Sequence, residues 1–147
     1  MNWTVKSFDA LTTAELYHIL HLRNAVFVVE QNCPYQDLDY SDQQALHLMG
    51  TLEGELVAYT RLFAADIKYA GKTSIGRVVT SSGVRGSGAG KALMQESIRV
   101  VEERFGKGPI KIGAQQYLQK FYESFGFVQS SEMYLEDDIP HIEMIRA

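Results

Sequence analysis

The run Gly76-Arg77-Val78-Val79-Thr80-Ser81-Ser82-Gly83-Val84-Arg85-Gly86-Ser87-Gly88-Ala89-Gly90-Lys91 joins a β-rich segment to a helical one. Residues near 73–80 read as a strand that ends in the Val-Val-Thr triplet. After the glycines, Met94, Ile98, Val101 and Phe105 recur at steps of four, three and four, the period of an amphipathic helix. Pro109 then opens another strand, Ile110 to Ala114. The unit is strand, glycine-rich turn, helix, strand. Backbone N–H groups at such a helix start have no intrahelical acceptor and sit at the positive end of the dipole, so they suit a phosphate. Glycine lets the phosphate approach, having no Cβ to block it.

Spacing tests which phosphate ligand fits. A dinucleotide fingerprint counted from Gly86 finds Gly88 but then Lys91 where the third glycine belongs. A Walker A loop needs glycine at Arg85 and Ser or Thr at Ala92, and fails at both. The turn by itself leaves open a ligand cradle and a plain structural turn.

Outward toward the N-terminus, Glu53-Gly54 separates two strands, about 45–52 and 55–64, as a hairpin. Residues 32–44 are polar and aperiodic, a loop carrying Asp37, Asp39 and Asp42. Thr12-Thr13-Ala14-Glu15 has capping-box spacing and opens a helix expected to reach about Gln31, ahead of Cys33-Pro34. Its stripe reads Leu16, Leu20, Arg23, Phe27, Glu30. Two charges on a core-facing stripe need partners, either in ion pairs or in a polar cleft. A first strand covers 3–8. Toward the C-terminus a short helix at about 116–125 stops at Gly126, and strands near 127–135 and 140–146 close the chain. The expected fold class is α/β (α+β), one domain over residues 1–147.

With 46% hydrophobic residues the chain can bury a core without staples. It has no apolar run long enough to span a membrane and no leader-like N-terminus, so a cytoplasmic location is expected. The lone Cys33 forms no internal disulfide; it reads as a packed residue or a nucleophile whose activating base is not evident. A net charge of −4 without a basic run argues against extended nucleic-acid binding.

Arg85-x-x-Gly88-x-Gly90 after a Val-Val strand resembles the coenzyme A pyrophosphate loop of the GNAT (Gcn5-related N-acetyltransferase) superfamily. A second stretch, Leu118 to Phe127, is similar to that family's Phe-Tyr-x-x-x-Gly-Phe signature at Phe121-Tyr122 and Gly126-Phe127. Further resemblance, to the ElaA-like subfamily, lies in Phe27-Val28-Val29-Glu30-Gln31-x-Cys33-Pro34-Tyr35-x-Asp37-x-Asp39, in Gly76-Arg77-Val78-Val79 and in Glu136-Asp137-Asp138-Ile139-Pro140-His141. It covers about residues 15–145. Gln115 stands where many members have Asn, and Asp138 where Gly is expected.

The resemblance implies a central mixed, mostly antiparallel twisted sheet of about six to seven strands flanked by helices. It also implies acetyl-CoA as cosubstrate, no metal, and transfer of the acetyl group to a primary amine by direct attack in a ternary complex. Cofactor contacts would come from Val78, Val79, Thr80, Arg85, Gly86, Ser87, Gly88, Ala89, Gly90, Lys91, Gln115 and Tyr122. The N–H of Val79 would polarise the thioester carbonyl. Tyr122 matches the family's proton donor to the leaving thiolate, and a phenol of pKa about 10 is protonated at neutral pH. For the base, Glu30 and His141 stand open, with the acidic pair Glu136-Asp137 beside them. Asp37, Asp39, His47, Arg61, Glu136, Asp137 and His141 are candidates for the acceptor side, the loop acids as attractors of a cationic substrate. A homodimer is compatible with the family. The alternative is a non-catalytic CoA-binding module of the same fold.

Overall fold

In the computed structural model, which describes residues 1–147, Thr12 caps the first helix as its spacing predicts. The Glu15 N–H donates to Thr12 Oγ1 at 3.1 Å, and the Thr12 N–H donates to Glu15 Oε1 at 2.8 Å. This helix, α1, spans Thr13–Arg23 and then widens into a π-helical stretch, Asn24–Glu30, with Gln31 N–H bonded to the Val26 carbonyl at 3.1 Å. The expected single α-helix to Gln31 is therefore corrected. A π turn holds more than 3.6 residues, so it shifts the phase of everything beyond it. Ile19, Leu22, Arg23 and Val26 are the residues buried, whereas Glu30 is exposed.

The strands are β1 (Asn2–Ser7), β2 (Leu46–Leu52), β3 (Glu55–Phe63), β4 (Ser74–Thr80), β5 (Ile110–Gln115), β6 (Phe127–Gln129), β7 (Tyr134–Glu136) and β8 (Ile139–Arg146). Two further helices are α2 (Ala89–Phe105) and α3 (Gln119–Glu123). The segment expected as one strand at 127–135 divides into β6 and β7, giving eight strands. Both pieces still pair with β8, and the Ser130 N–H reaches the Glu143 carbonyl at 2.8 Å across the break.

Strands β1 to β4 form an antiparallel meander, and β5, β8 and β6 form a second antiparallel sheet with β7 also on β8. The two sheets meet at a parallel bridge, Thr73 to Ile110, at the base of β4 and β5. Alternation in the meander gives each face its own helix. Leu48, Ala58 and Leu62 face a core that includes Leu93, Met94, Ile98 and Val101 of α2. Met49, Tyr59 and Val79 face Ile19, Leu22 and Val26 at α1. Burying a side chain such as Leu93 or Ile19 stabilises the fold by about 1.5–3 kcal/mol. Thr60 and Ser97, buried polar groups on the α2 side, satisfy each other at 2.9 Å.

Candidate active site

Beyond their bridge β4 and β5 part, and a cleft of about 760 Å³ opens between them. Its position follows from one irregularity. In the β3–β4 ladder Tyr59 pairs with Val79, but Arg61 pairs with Gly76, so Arg77 and Val78 together oppose Thr60. Arg77 adopts φ +48°, uncommon for a residue with a Cβ. Such a bulge bends its strand and takes backbone groups out of the ladder. Val78, Val79 and Thr80 line the cleft there.

At the end of β4 the glycine turn swings the chain into α2. Gly86 and Gly88 take φ +81° and +85°, the left-handed region where glycine is strain-free, and Gly88 is the helix N-cap. The first intrahelical-type bond is Ala92 N–H to the Gly88 carbonyl, so the amides of Ala89, Gly90 and Lys91 remain free to meet an anion. Arg85 and Gly90 line the cleft; Gly86, Ser87, Gly88, Ala89 and Lys91 belong to the same turn but are not among the residues that line it. Arg85 bonds the carboxylate of Glu30 and the Thr80 carbonyl, the latter at 3.1 Å. Glu30 is thus in an ion pair on the glycine-turn side of the cleft.

The opposite wall comes from β5, α3 and β8. Tyr122 is packed edge-on against Phe121 and Phe127, at 5.2 and 6.1 Å between centroids. Its hydroxyl still reaches the cleft. Burial pushes the phenol above its ordinary value, so it keeps its proton well past neutrality. Gln115 ends β5, opposite His141 in the β5–β8 register, and its amide lies 3.5 Å from Gln31. His141 stacks on Tyr134 at 5.9 Å. Its Nδ1 donates to the Ile139 carbonyl at 2.7 Å, and Nε2 faces Glu136 at 3.4 Å. Asp137 and Asp138, at φ +50° and +62°, form the two-residue turn between β7 and β8. Asp138 so occupies a left-handed position that glycine would also suit. Cys33, buried, donates toward the Asp137 carbonyl at 3.5 Å.

The third wall is the 32–44 loop, and its acids are not free. Arg23 Nε donates to Asp37 at 2.9 Å, and Arg77 Nε donates to the other Asp37 oxygen at 2.8 Å. Arg77 also reaches Asp39 at 3.5 Å, and Asp39 receives Arg61 at 2.6 and 2.8 Å. Asp42 accepts from both Arg61 and Arg23 at 2.9 Å, which closes a ring of alternating charge. Tyr35 adds a bond to Asp37 at 3.0 Å. The acids expected to attract a cation are therefore neutralised by three arginines and tie the loop to α1, β3 and β4. Asp39 and Arg61 line the cleft, while Asp37 lies behind it. Arg23, expected on an inward stripe in need of a partner, is fully buried at the centre.

His47 is corrected outright as a cleft residue. It is fully buried, with Nδ1 2.6 Å from the Tyr59 hydroxyl and Nε2 2.8 Å from the Asp42 carbonyl. Inward alternation on β2 carries it under the loop, a placement its isolated polarity did not reveal. Burial lowers its pKa below the ordinary 6.5. As pH falls through 6.5 the unfolded chain takes up a proton that folded His47 refuses, so stability declines. A second decline begins near 3.8. There Arg61 holds Asp39 ionised, and Arg23 and Arg61 outweigh burial to do the same for Asp42. Melting temperature against pH should show both limbs, and His47→Gln should erase the upper one while keeping the lower. A flat profile from pH 7 to 5 in the native chain would refute a neutral buried His47.

Arg77, Lys68, Tyr69 and Tyr134 also line the cleft. Of these, Arg77 lay inside a motif already singled out, but no periodicity or spacing marked the others.

The family model described as an acetyltransferase (GNAT) domain matches residues 14–147. Protein ElaA of Escherichia coli K12 is 43% identical over 148 aligned residues, covering 99% of this chain and 96% of ElaA. The crystal structure of E. coli ElaA aligns over 100% of both chains with a TM-score of 0.92 and 42% identity. An acyl-CoA N-acyltransferase from Pseudomonas aeruginosa aligns over 100% of both chains with a TM-score of 0.93 and 46% identity. An aminoglycoside 6'-N-acetyltransferase crystallised with coenzyme A has the same fold, with a TM-score of 0.71 at 16% identity over 97% and 96% of the chains. With a bulged β4, a glycine turn at the start of α2 and a tyrosine on α3 around one cleft, and with these matches over nearly its whole length, the chain belongs to the GNAT acetyltransferase family, in its ElaA-like branch.

Proposed function

We propose that the protein transfers the acetyl group of acetyl-CoA to a primary amine by direct attack in a ternary complex. The observation that carries this reading is convergence. The first turn of α2 at Gly90, the β4 bulge and Tyr122 all line one cleft. Acetyl-CoA bound there would supply the activated thioester. The amides of Ala89, Gly90 and Lys91 receive its pyrophosphate, with no Cβ at Gly88 to obstruct it. Backbone released at the Arg77–Val78 bulge aligns the pantetheine arm, and a backbone N–H there polarises the thioester carbonyl, while Val79 itself stays paired with Tyr59.

His141 is the base in this reading. Its Nδ1–H is fixed on a carbonyl, which leaves Nε2 to take the proton of the amine, and Glu136 at 3.4 Å stabilises the imidazolium that forms. Glu30 instead holds Arg85 beside the phosphate turn. As the N–C bond forms and the C–S bond breaks, Tyr122 delivers its proton to sulfur. No helix is long and apolar enough to cross a membrane, which fits encounter with dissolved amines.

A thermal melt with acetyl-CoA tests the reading, with ATP-magnesium and NAD as controls. A ligand at a hundredfold excess over Kd adds about 2.7 kcal/mol of stability. An upward shift with acetyl-CoA alone, followed by thiol release on adding amines, is expected. Stabilisation without turnover on any amine would favour the non-catalytic CoA-binding alternative, and no stabilisation would overturn both.

A further inference from the structure

The end of the cleft beyond the bulge, where the acceptor would enter, is electrically divided. On the meander side the buried ring counts three arginines against three aspartates, and Lys68 adds a cation with no carboxylate partner. Its Nζ donates to Ser41 Oγ at 2.8 Å and lies 5.0 Å from the Phe63 ring centroid. Burial and the neighbouring Arg61 guanidinium lower its pKa, the sign of a cation short of compensation. Arg61 contributes a second unfinished contact. Its terminal nitrogens are taken by Asp39 and Asp42, but Nε is buried with no acceptor. That atom faces Gly76, its partner across the ladder, and lies 3.8 Å from where a Gly76 Cβ would be. Gly76 lines the cleft and places no side chain over Nε, which is closed to water in the free protein.

On the other wall the polarity reverses. Glu136 and Asp137 project there with no basic side chain beside them except His141. Tyr69, adjacent to Lys68 in the β3–β4 connection, crosses toward this wall. Its hydroxyl and that of Tyr134 lie 3.8 and 3.2 Å from the position a Gly113 Cβ would occupy. Neither hydroxyl has a protein partner, and both are available to accept from an ammonium or amine.

We infer that the acceptor is an amino-carboxylic acid of small size, a free amino acid or short peptide, with its carboxylate at Lys68 Nζ and Arg61 Nε over Gly76 and its amine at Tyr69, Tyr134 and Glu136. This deepens the acyl-transfer reading and rests on it. A polyamine or aminoglycoside would set a second cation against Lys68, a like-charge contact that disfavours it. A charge-assisted hydrogen bond to carboxylate supplies the discrimination.

The experiment pairs each acid with its decarboxylated twin, for example lysine with 1,5-diaminopentane and glycylglycine with glycyl-methylamine. Both CoA thiol release and thermal stabilisation of the CoA complex are read. The acids are expected to surpass their twins in kcat/KM and in stabilisation by about tenfold, the size of one charge-assisted contact. Lys68→Met should collapse that ratio chiefly through KM. Gly76→Ala should do the same, because its Cβ meets Arg61 only at ordinary contact distance and the fold is kept. Lys72→Met, on the same connection but outside the cleft, should keep the ratio. Turnover that favours the twins, or a ratio untouched by both Lys68→Met and Gly76→Ala, overturns the inference and leaves acyl transfer standing. Preferential stabilisation by acids without thiol release keeps the acceptor assignment and overturns acyl transfer. Neither preference nor release overturns both.

Discussion

Replacing Arg23 with alanine is expected to lower stability by about 3–5 kcal/mol, because it removes one partner from a buried charge network. For a chain of this size that is a fall in melting temperature of about 10 °C. Arg23 is fully buried and bonds Asp37 and Asp42 at 2.9 Å each, with its guanidinium carbon 5.9 Å from the Tyr59 ring centroid. Without it both carboxylates stay buried with one arginine fewer, and the aliphatic stem leaves a void against the α1 core. Arg23→Lys should recover little, since an ammonium cannot span two carboxylates with a planar fork. The loop wall of the cleft should loosen with the ring, which native-state hydrogen exchange over residues 32–44 would show. Arg99→Ala, which removes an exposed pair with Glu96 and Glu103, should not move the melt measurably. A shift for Arg23→Ala as small as that control would mean that the ring does not hold the loop.

Tyr122→Phe should lower kcat by about a hundredfold or more, the usual contribution of a positioned general acid. The substitution keeps the ring that packs against Phe121 and Phe127 and removes only the hydroxyl, so the fold and the stabilisation by acetyl-CoA should persist. KM for the cofactor should stay near its native value, which separates loss of a proton donor from loss of a binding contact. Because burial raises the phenol above its ordinary 10.0, its ionisation should produce no alkaline fall in kcat below that pH. Undiminished turnover in the phenylalanine variant would remove Tyr122 from the chemistry.

Local chemistry accounts for the parts of this molecule that can be read one segment at a time. The capping box at Thr12, the period-four-and-three stripe of α2, the turn at Glu53-Gly54 and the stop at Gly126 each depend on neighbours within a few residues. The glycine turn belongs to the same class, since positive φ at Gly86 and Gly88 is a backbone preference that the residue type carries with it. Of the stripe drawn through Leu16, Leu20, Arg23, Phe27 and Glu30 only Arg23 is buried: the core face runs through Ile19, Leu22, Arg23 and Val26, and after Arg23 a π turn changes the angular step without a local signal. The split of 127–135 likewise depends on how Ser130 and Ser131 meet β8, a contact made across the sheet.

The succession of strand, glycine-rich turn and helix, and the place of Tyr122 on a short helix after β5, follow from local sequence, because propensity, capping and glycine stereochemistry act over short spans. What the charged residues do comes from tertiary contacts. Asp37, Asp39 and Asp42 find their arginines 14 to 40 residues away, His47 turns under a loop, and Arg61 Nε is left facing a glycine on the next strand. A charge interacts with whatever the folded chain brings within a few ångströms, and in a low-dielectric interior those neighbours outweigh sequence context.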